Sequence, residues 1–428
     1  MKWYLLIVGI VVSAVVGIGV YFYVISRDIE PADFSDLALP VVEISPEENA
    51  YTYFMKAIEA QVSYTNKTGE SISAAKYLRV EKNDTHSTLL AQVLADNEDV
   101  FQYVRQGVQC QYCIFPAPTA EELFPFSISD LAALITLFKN KISHEQTNGN
   151  VEVALQDAHT FLRYGQLIRQ TPSCLVASFI GFTVESSGLQ KIRQLAQDPQ
   201  FSGHHLRHLL ESVNATPPYD VSAQHTLKAE FHFGLVALDS IGILGFKKAL
   251  GRPPPFNVPA RFGPYLLRNQ TQVETASYPR AVIPELSKFY SDMAYRGELL
   301  ARHEIPTRFV FLHRNCIGKV LVNTLTPAYE SFLTRRYQID ASLTATKIII
   351  ACHLFQRETG RKPQVLGELV PDYLPAVPPD PFDGQPFRYK PDEGIIYSVG
   401  PRLKDLDGAS RSPESSRLDG NVAFKIWE

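Results

Sequence analysis

The sequence predicts a mainly α-helical protein in three parts: an N-terminal transmembrane helix, a stacked, tetratricopeptide-like helical domain, and a small C-terminal α+β module with a short antiparallel sheet. Three observations predict it. Trp3 to Ile25 is one uncharged apolar run, and apolar residues then recur at helical spacing between polar breaks over most of the chain. Beyond Tyr373 the chain becomes rich in Pro, Gly and Asp, with only short apolar runs. The expected boundaries are residues 1–26 for the anchor, 27–325 for the helical domain, and 326–428 for a long helix plus the terminal module.

The anchor follows from length and charge. Its 23 residues would reach about 34 Å as a helix, enough for a bilayer core of about 30 Å. Trp3 and Tyr4 at one end and Tyr21, Phe22 and Tyr23 at the other occupy the places of interfacial aromatics. A cleaved signal peptide would need a shorter apolar region and a small-residue cleavage site. No Cys in or just after the run offers a lipid anchor. The two-residue tail before the run suits a signal anchor whose bulk is exported. Gly9, Ser13 and Gly17 recur at every fourth position, so they share a helix face on which a second copy could pack as a homodimer; the alternative is that small residues are simply common in such helices.

Composition narrows the remaining classes. The 428-residue chain is 45% hydrophobic and 20% charged, with net charge −4 and scattered basic residues, which predicts a sizeable core and no nucleic-acid partner. Its 29 Pro imply stiff connections between helices. Five Cys cannot form a complete disulfide framework. Cys110 and Cys113 have the spacing of redox and zinc motifs, but no second such pair completes a zinc site. A local disulfide and two inert thiols are the readings left open.

After an acidic linker over residues 26–44, Ser45, Pro46 and Glu47 signal a helix start, with Tyr51, Phe54, Met55 and Ile58 on its apolar face. Residues 63–85 are polar and read as loop. Helices are expected from Ser87 to Gln106, Ser129 to Lys141, Val151 to Arg169, Cys174 to Ala196, Gly203 to Val213 and Ala223 to Leu250. Five prolines between Arg252 and Asn269 exclude regular structure there. Pro284 to Arg302 and Ala328 to Thr359 follow as helices, the second ending at Gly360. Short strands are expected at Phe387 to Tyr389, Ile395 to Val399 and Val422 to Ile426.

Within that last region, fixed offsets join Gly360, Pro363, Leu366 and Leu369 to Asp380, Pro381, Phe382, Gly384, Pro386 and Tyr389, and then to Tyr397, Ser398 and Gly400. The pattern resembles the C-terminal module of the major pseudopilins of type II secretion, and more closely an uncharacterised group of membrane-anchored proteins common in planctomycetes and related bacteria. Residues 127–197 are similar in composition to the helical middle of that group, and the two regions cover under a third of the chain. The resemblance implies a bacterial cytoplasmic (inner) membrane location with most of the chain outside the cytoplasm. It also implies calcium at Asp405 and Asp407, with Asp419 a looser candidate; a plain Asp-Gly turn is the alternative. Arg402, Arg411 and Arg417 depart from the calcium-loop pattern. Met1 to Ser13 contains neither the processed leader nor the Glu of a pilin, so polymerisation as a pilin is not expected.

Two groups of histidines are spaced closely enough to raise metal ligation. His204 and His208 share a helix face, with His205 beside them and Glu211 one turn on, whereas His225, Glu230 and His232 do not converge on one side of a helix. No HExxH, GxSxG, Walker or GxGxxG motif occurs. The expectation is therefore a non-enzymatic, membrane-tethered interaction or scaffold protein with a protein or peptide partner and no cofactor other than possible calcium. The alternatives are an accessory part of a secretion or pilus-like system, and an envelope hydrolase with a site assembled from dispersed residues.

Overall fold

Caps and buried amides decide where the helices of this chain start and stop. The structure, a computed structural model, describes residues 13–21, 23, 24, 26–40, 42–80, 87–119, 121–125, 127–244, 266–294, 314–408 and 422–427, and these are mainly helical. Ser45 and Glu48 form a capping box around a short 3-10 turn, and Asn49 Oδ1 then accepts from Tyr51 N at 3.1 Å to start α1 (Ala50–Glu59). The segment read as loop holds a hairpin, β1 (Ser63–Thr65) and β2 (Ser71–Ser73), and then α2 (Ala74–Val80). The helix expected over 87–106 is two, α3 (Ser87–Asp96) and α4 (Glu98–Gly107). Asn97 breaks it: fully buried, it donates to Val93 O and accepts from Val62 N, tying the hairpin to the break.

The centre of the body is α5 (Ile128–Thr147), α6 (Val151–Gln170), α7 (Leu175–Gln197) and α8 (Gly203–Asn214), followed by α9 (Tyr219–Leu244) and α10 (Arg268–Val282). Helices α6 and α7 run antiparallel at backbone contact. A Cβ on Gly165 would lie 2.5 Å from Glu185 N, and one on Gly181 would lie 2.6 Å from Arg169 N. Only glycine permits that approach. The long helix α11 (Cys316–Thr359) starts ten residues before the expected boundary at 326 and is about 66 Å long at ~1.5 Å per residue. It lies along α7, where Arg193 donates to Ser342 Oγ and Thr346 Oγ1. It stops at Gly360, φ 74°. The helix expected over 284–302 is absent as far as Ala294: 3-10 turns at Ile283–Glu285 and Tyr290–Asp292 follow α10, and residues 295–313 lie outside the described set, as does most of the proline-rich 252–269 segment.

The C-terminal module is a three-stranded antiparallel sheet, β3 (Arg388–Lys390), β4 (Ile395–Ser398) and β5 (Val422–Lys425), in the order β3-β4-β5. Asp380 organises it: the buried carboxylate accepts from Phe382 N, Val399 N, Ser398 Oγ and Arg388 Nη1. That gathers the Asp-Pro-Phe turn and the end of β4 around one group. The module returns to α11 through His353, whose Nε2 meets Ile426 O at 2.8 Å while its ring packs on Trp427.

The N-terminal span is only partly placed. Residues 13–21, 23, 24 and 26 are helical, and Val15, Val16, Ile18, Val20, Tyr23 and Val24 are each 56 to 63% exposed. Among the described residues no helix is long and apolar enough to cross a membrane, and residues 1–12, with Gly9, lie outside them. Ser13 and Gly17 are exposed, and nothing approaches Gly17. The following linker is docked rather than free. Asp28 accepts from Asn269 N and Gln270 N, the open amides of the first turn of α10. Arg280 grips Asp36 at 2.7 Å, and Leu37 is buried with Phe231 and Ala276.

Two measurements check this packing. Gly181→Ala is expected to lower the unfolding free energy in urea by about 2 to 3 kcal/mol through overpacking, whereas Gly367→Ala, with open space at its Cβ, shifts it by less than about 0.5 kcal/mol. Burial holds His353 down from 6.5 to about 4, so the folded state keeps it neutral while the unfolded chain takes up a proton first. Its contribution is complete above about pH 6.5 and is lost as pH falls toward 4, about 3 kcal/mol in all. His353→Asn should flatten the dependence of Tm on pH in that window; an unchanged slope would remove His353 from the acid response.

Candidate functional site

Between the helices lies a groove made mostly of connections. Pro40 and Val42, in the strap that follows Leu37, line both of two neighbouring cavities. The first cavity, of about 410 Å³, is walled by Tyr112, Ile114, Leu167, Pro172, Pro217, Pro218 and Val221, with Arg163, Gln170 and His225 at polar positions. The second, of about 340 Å³, is walled by Leu39, Phe115, Pro116, Pro118, Leu123, Cys174, Phe233 and Val236, with His232. Ile114 and Pro172 line both, so the strap divides one groove.

Each wall is held by a buried polar contact. Arg169, near the end of α6, pairs with Glu185 of α7 at 2.9 Å, both almost fully buried. Its other nitrogens donate to Ser222 Oγ at 2.6 Å and Pro217 O at 3.3 Å. Tyr219 completes the set: its hydroxyl donates to Glu185 at 2.7 Å and its ring lies under the guanidinium. This fixes the 217–222 wall. The opposite wall is fixed by Thr171 Oγ1 donating to Cys113 O at 2.8 Å and by Asn49, which exchanges two hydrogen bonds with Ile114. The strap is pinned by His232 Nε2 to Leu37 O at 3.0 Å and by Lys228 to Ala38 O.

The first cavity has a cationic end. Arg163 has no hydrogen-bond or ion-pair partner among the described residues, and burial, with Arg169 nearby, lowers its guanidinium below the ordinary value. Gln170 Nε2 is buried without a hydrogen-bond partner. Burial also lowers His225. Beside the second cavity, burial raises Glu230 to about 7 while its carboxylate accepts from Leu175 N, the first amide of α7, at 2.8 Å. Cys174 caps that helix, yet burial and the neighbouring Glu230 raise its thiol, which is the opposite of what activates a nucleophile.

The residues singled out from sequence are dispersed. Cys110 and Cys113 are separate free thiols; Cys113 is buried and pushed up to about 12, and Cys110 reaches Glu47 O at 3.8 Å. Asp405 accepts from Asp407 N at 2.9 Å, and each carboxylate faces a cation, Arg388 at 3.8 Å and Lys390 at 2.9 Å. The third carboxylate considered for calcium, Asp419, lies outside the described residues. Among the described residues no group of three or more His, Cys, Asp or Glu could hold a metal. His204 and His208 are exposed on α8, whereas His205 caps that helix through Ser202 N and meets Glu152 at 3.1 Å. Of the other group, His225 and His232 line different cavities.

Sequence reasoning missed the groove residues. Their one sequence signal was the set of prolines at 40, 116, 118, 172, 217 and 218, read as stiff connections and found as walls. The thiols supply a direct check: in the native chain only Cys110 should react with a maleimide, because Cys113, Cys174, Cys316 and Cys352 are all at most 5% exposed, and rapid labelling of two or more would contradict the arrangement. Comparison of the chain with family models, curated proteins and solved structures found no match.

Proposed function

We propose that this chain is a membrane-tethered interaction protein on the outer side of a bacterial cytoplasmic membrane, whose stacked, tetratricopeptide-like helices offer an apolar groove to an extended protein or peptide partner. The groove divided by Pro40 and Val42 carries this reading. Its walls are preformed, since the contacts that hold them are internal to the body, and preformed walls lower the ordering cost of binding. Val221 and Tyr112, 52% and 40% exposed, present apolar surface at its edge. The tether is supported by a different observation: the side chains of Val15, Val16, Ile18, Val20, Tyr23 and Val24 are exposed, an apolar surface that water disfavours and lipid accepts.

The test is partner capture from detergent-solubilised membranes. Val221→Glu, at the groove edge, is expected to reduce capture at least about tenfold, a cost of about 1.4 kcal/mol. Val365→Glu, on an exposed apolar residue of the C-terminal module, should leave it unchanged. Equal capture by both variants would place the binding surface elsewhere.

A further inference from the structure

The larger cavity has a polarity that a plain apolar groove lacks. Two unpartnered donors belong to residues that line it beside His225: the Arg163 guanidinium, without a counter-charge among the described residues, and Gln170 Nε2, buried and without an acceptor. Both lie on α6 and both line the cavity with Leu167 between them. The neighbours of Arg163 on the same helix are already used, since His159 is bonded to Ser212 at 2.9 Å and Gln166 to Thr216 at 2.9 Å. The α6 wall of this apolar chamber thus carries two donors without acceptors, and a buried donor without an acceptor costs free energy until one arrives.

Their spacing limits what can satisfy both. Seven residues of helix separate Arg163 from Gln170, a rise of about 10.5 Å. An extended chain covers that distance in about three residues at ~3.3 Å each. Arg163 is suited to a carboxylate, which takes two parallel N–H donors. Gln170 is suited to a main-chain carbonyl, and Leu167, Val221, Pro217 and Pro218 to apolar side chains between the two.

Resting on the groove reading above, we infer that the larger cavity binds the free C-terminus of a partner polypeptide, with its terminal carboxylate on Arg163, the carbonyl about three residues earlier on Gln170, and apolar side chains against the proline wall. The recognised feature is a chain end, not an internal segment.

The experiment uses the full-length chain in detergent and two synthetic octapeptide libraries, randomised among apolar residues over the last four positions, one with free C-terminal carboxylates and one amidated. The free-acid library is expected to bind at least about tenfold more tightly, as a charge-assisted bidentate contact requires. Arg163→Met should abolish that preference and Arg163→Lys should keep part of it. Because Arg163 has no partner to orphan, both variants should keep the urea midpoint of the parent, which separates lost recognition from lost folding. Acid and amide binding equally, with Val221→Glu weakening both, would overturn the chain-end assignment while leaving the groove reading intact. Failure of both libraries to bind would remove the chain-end assignment and the groove reading together. Dodecanoate binding tightly where the peptides do not would overturn the peptide as occupant and assign the carboxylate to a lipid.

Discussion

The Arg169–Glu185 ion pair sets the geometry of the body. Two opposite charges withdrawn from water are tolerated only when their remaining donors and lone pairs are also satisfied, and here Ser222, Pro217 and Tyr219 satisfy them. The pair lies where α6 and α7 touch backbone to backbone, next to Gly165 and Gly181. Closest approach and buried charge therefore occur at the same crossing. The two helices cannot slide without breaking the pair, and the start of α9 cannot leave without stranding the guanidinium.

From that crossing the groove follows. Pro217 and Val221 are placed by the partners of Arg169, and Ile114 is placed by Asn49 from a distant helix. The apolar walls are thus fixed by polar contacts behind them. Among the polar groups the interior does not consume are Arg163 and Gln170. A surface built this way has a rigid shape and an unspent electrostatic preference, which is what selects among apolar ligands.

Local pattern made part of this legible in the sequence. The expected Val151 to Arg169, Cys174 to Ala196 and Gly203 to Val213 agree with α6, α7 and α8 to within a residue or so at each end, because amphipathic spacing and flanking breakers act over a few residues. The same pattern hid the break at Asn97, whose cause is a bond to Val62, 35 residues away. It also hid the hairpin before α2, where Asn66 and Gly69 build the turn in a stretch with too few apolar residues to register. The groove was hidden for a third reason. Its walls are loops joined by contacts such as Thr171 to Cys113 and Asn49 to Ile114, and nothing periodic encodes them. The His, Cys and Asp residues chosen as chemically expressive are mostly consumed by caps, turns and ion pairs. The residues that matter to the groove are prolines and an arginine that look ordinary in sequence.

The docked linker has a mechanical consequence. Residues 28 to 37 are fastened to α10 and α9 by Asp28, Asp36 and Leu37, and the next few residues form the partition of the groove. These fastenings act in series between the N-terminal helix and Pro40. A load applied at that helix is met first by the Asp28 and Asp36 contacts, which shield the partition while they hold. Once they yield, the strain passes straight to the element separating the two chambers, so the chain carries a mechanical fuse between its N-terminal helix and the groove.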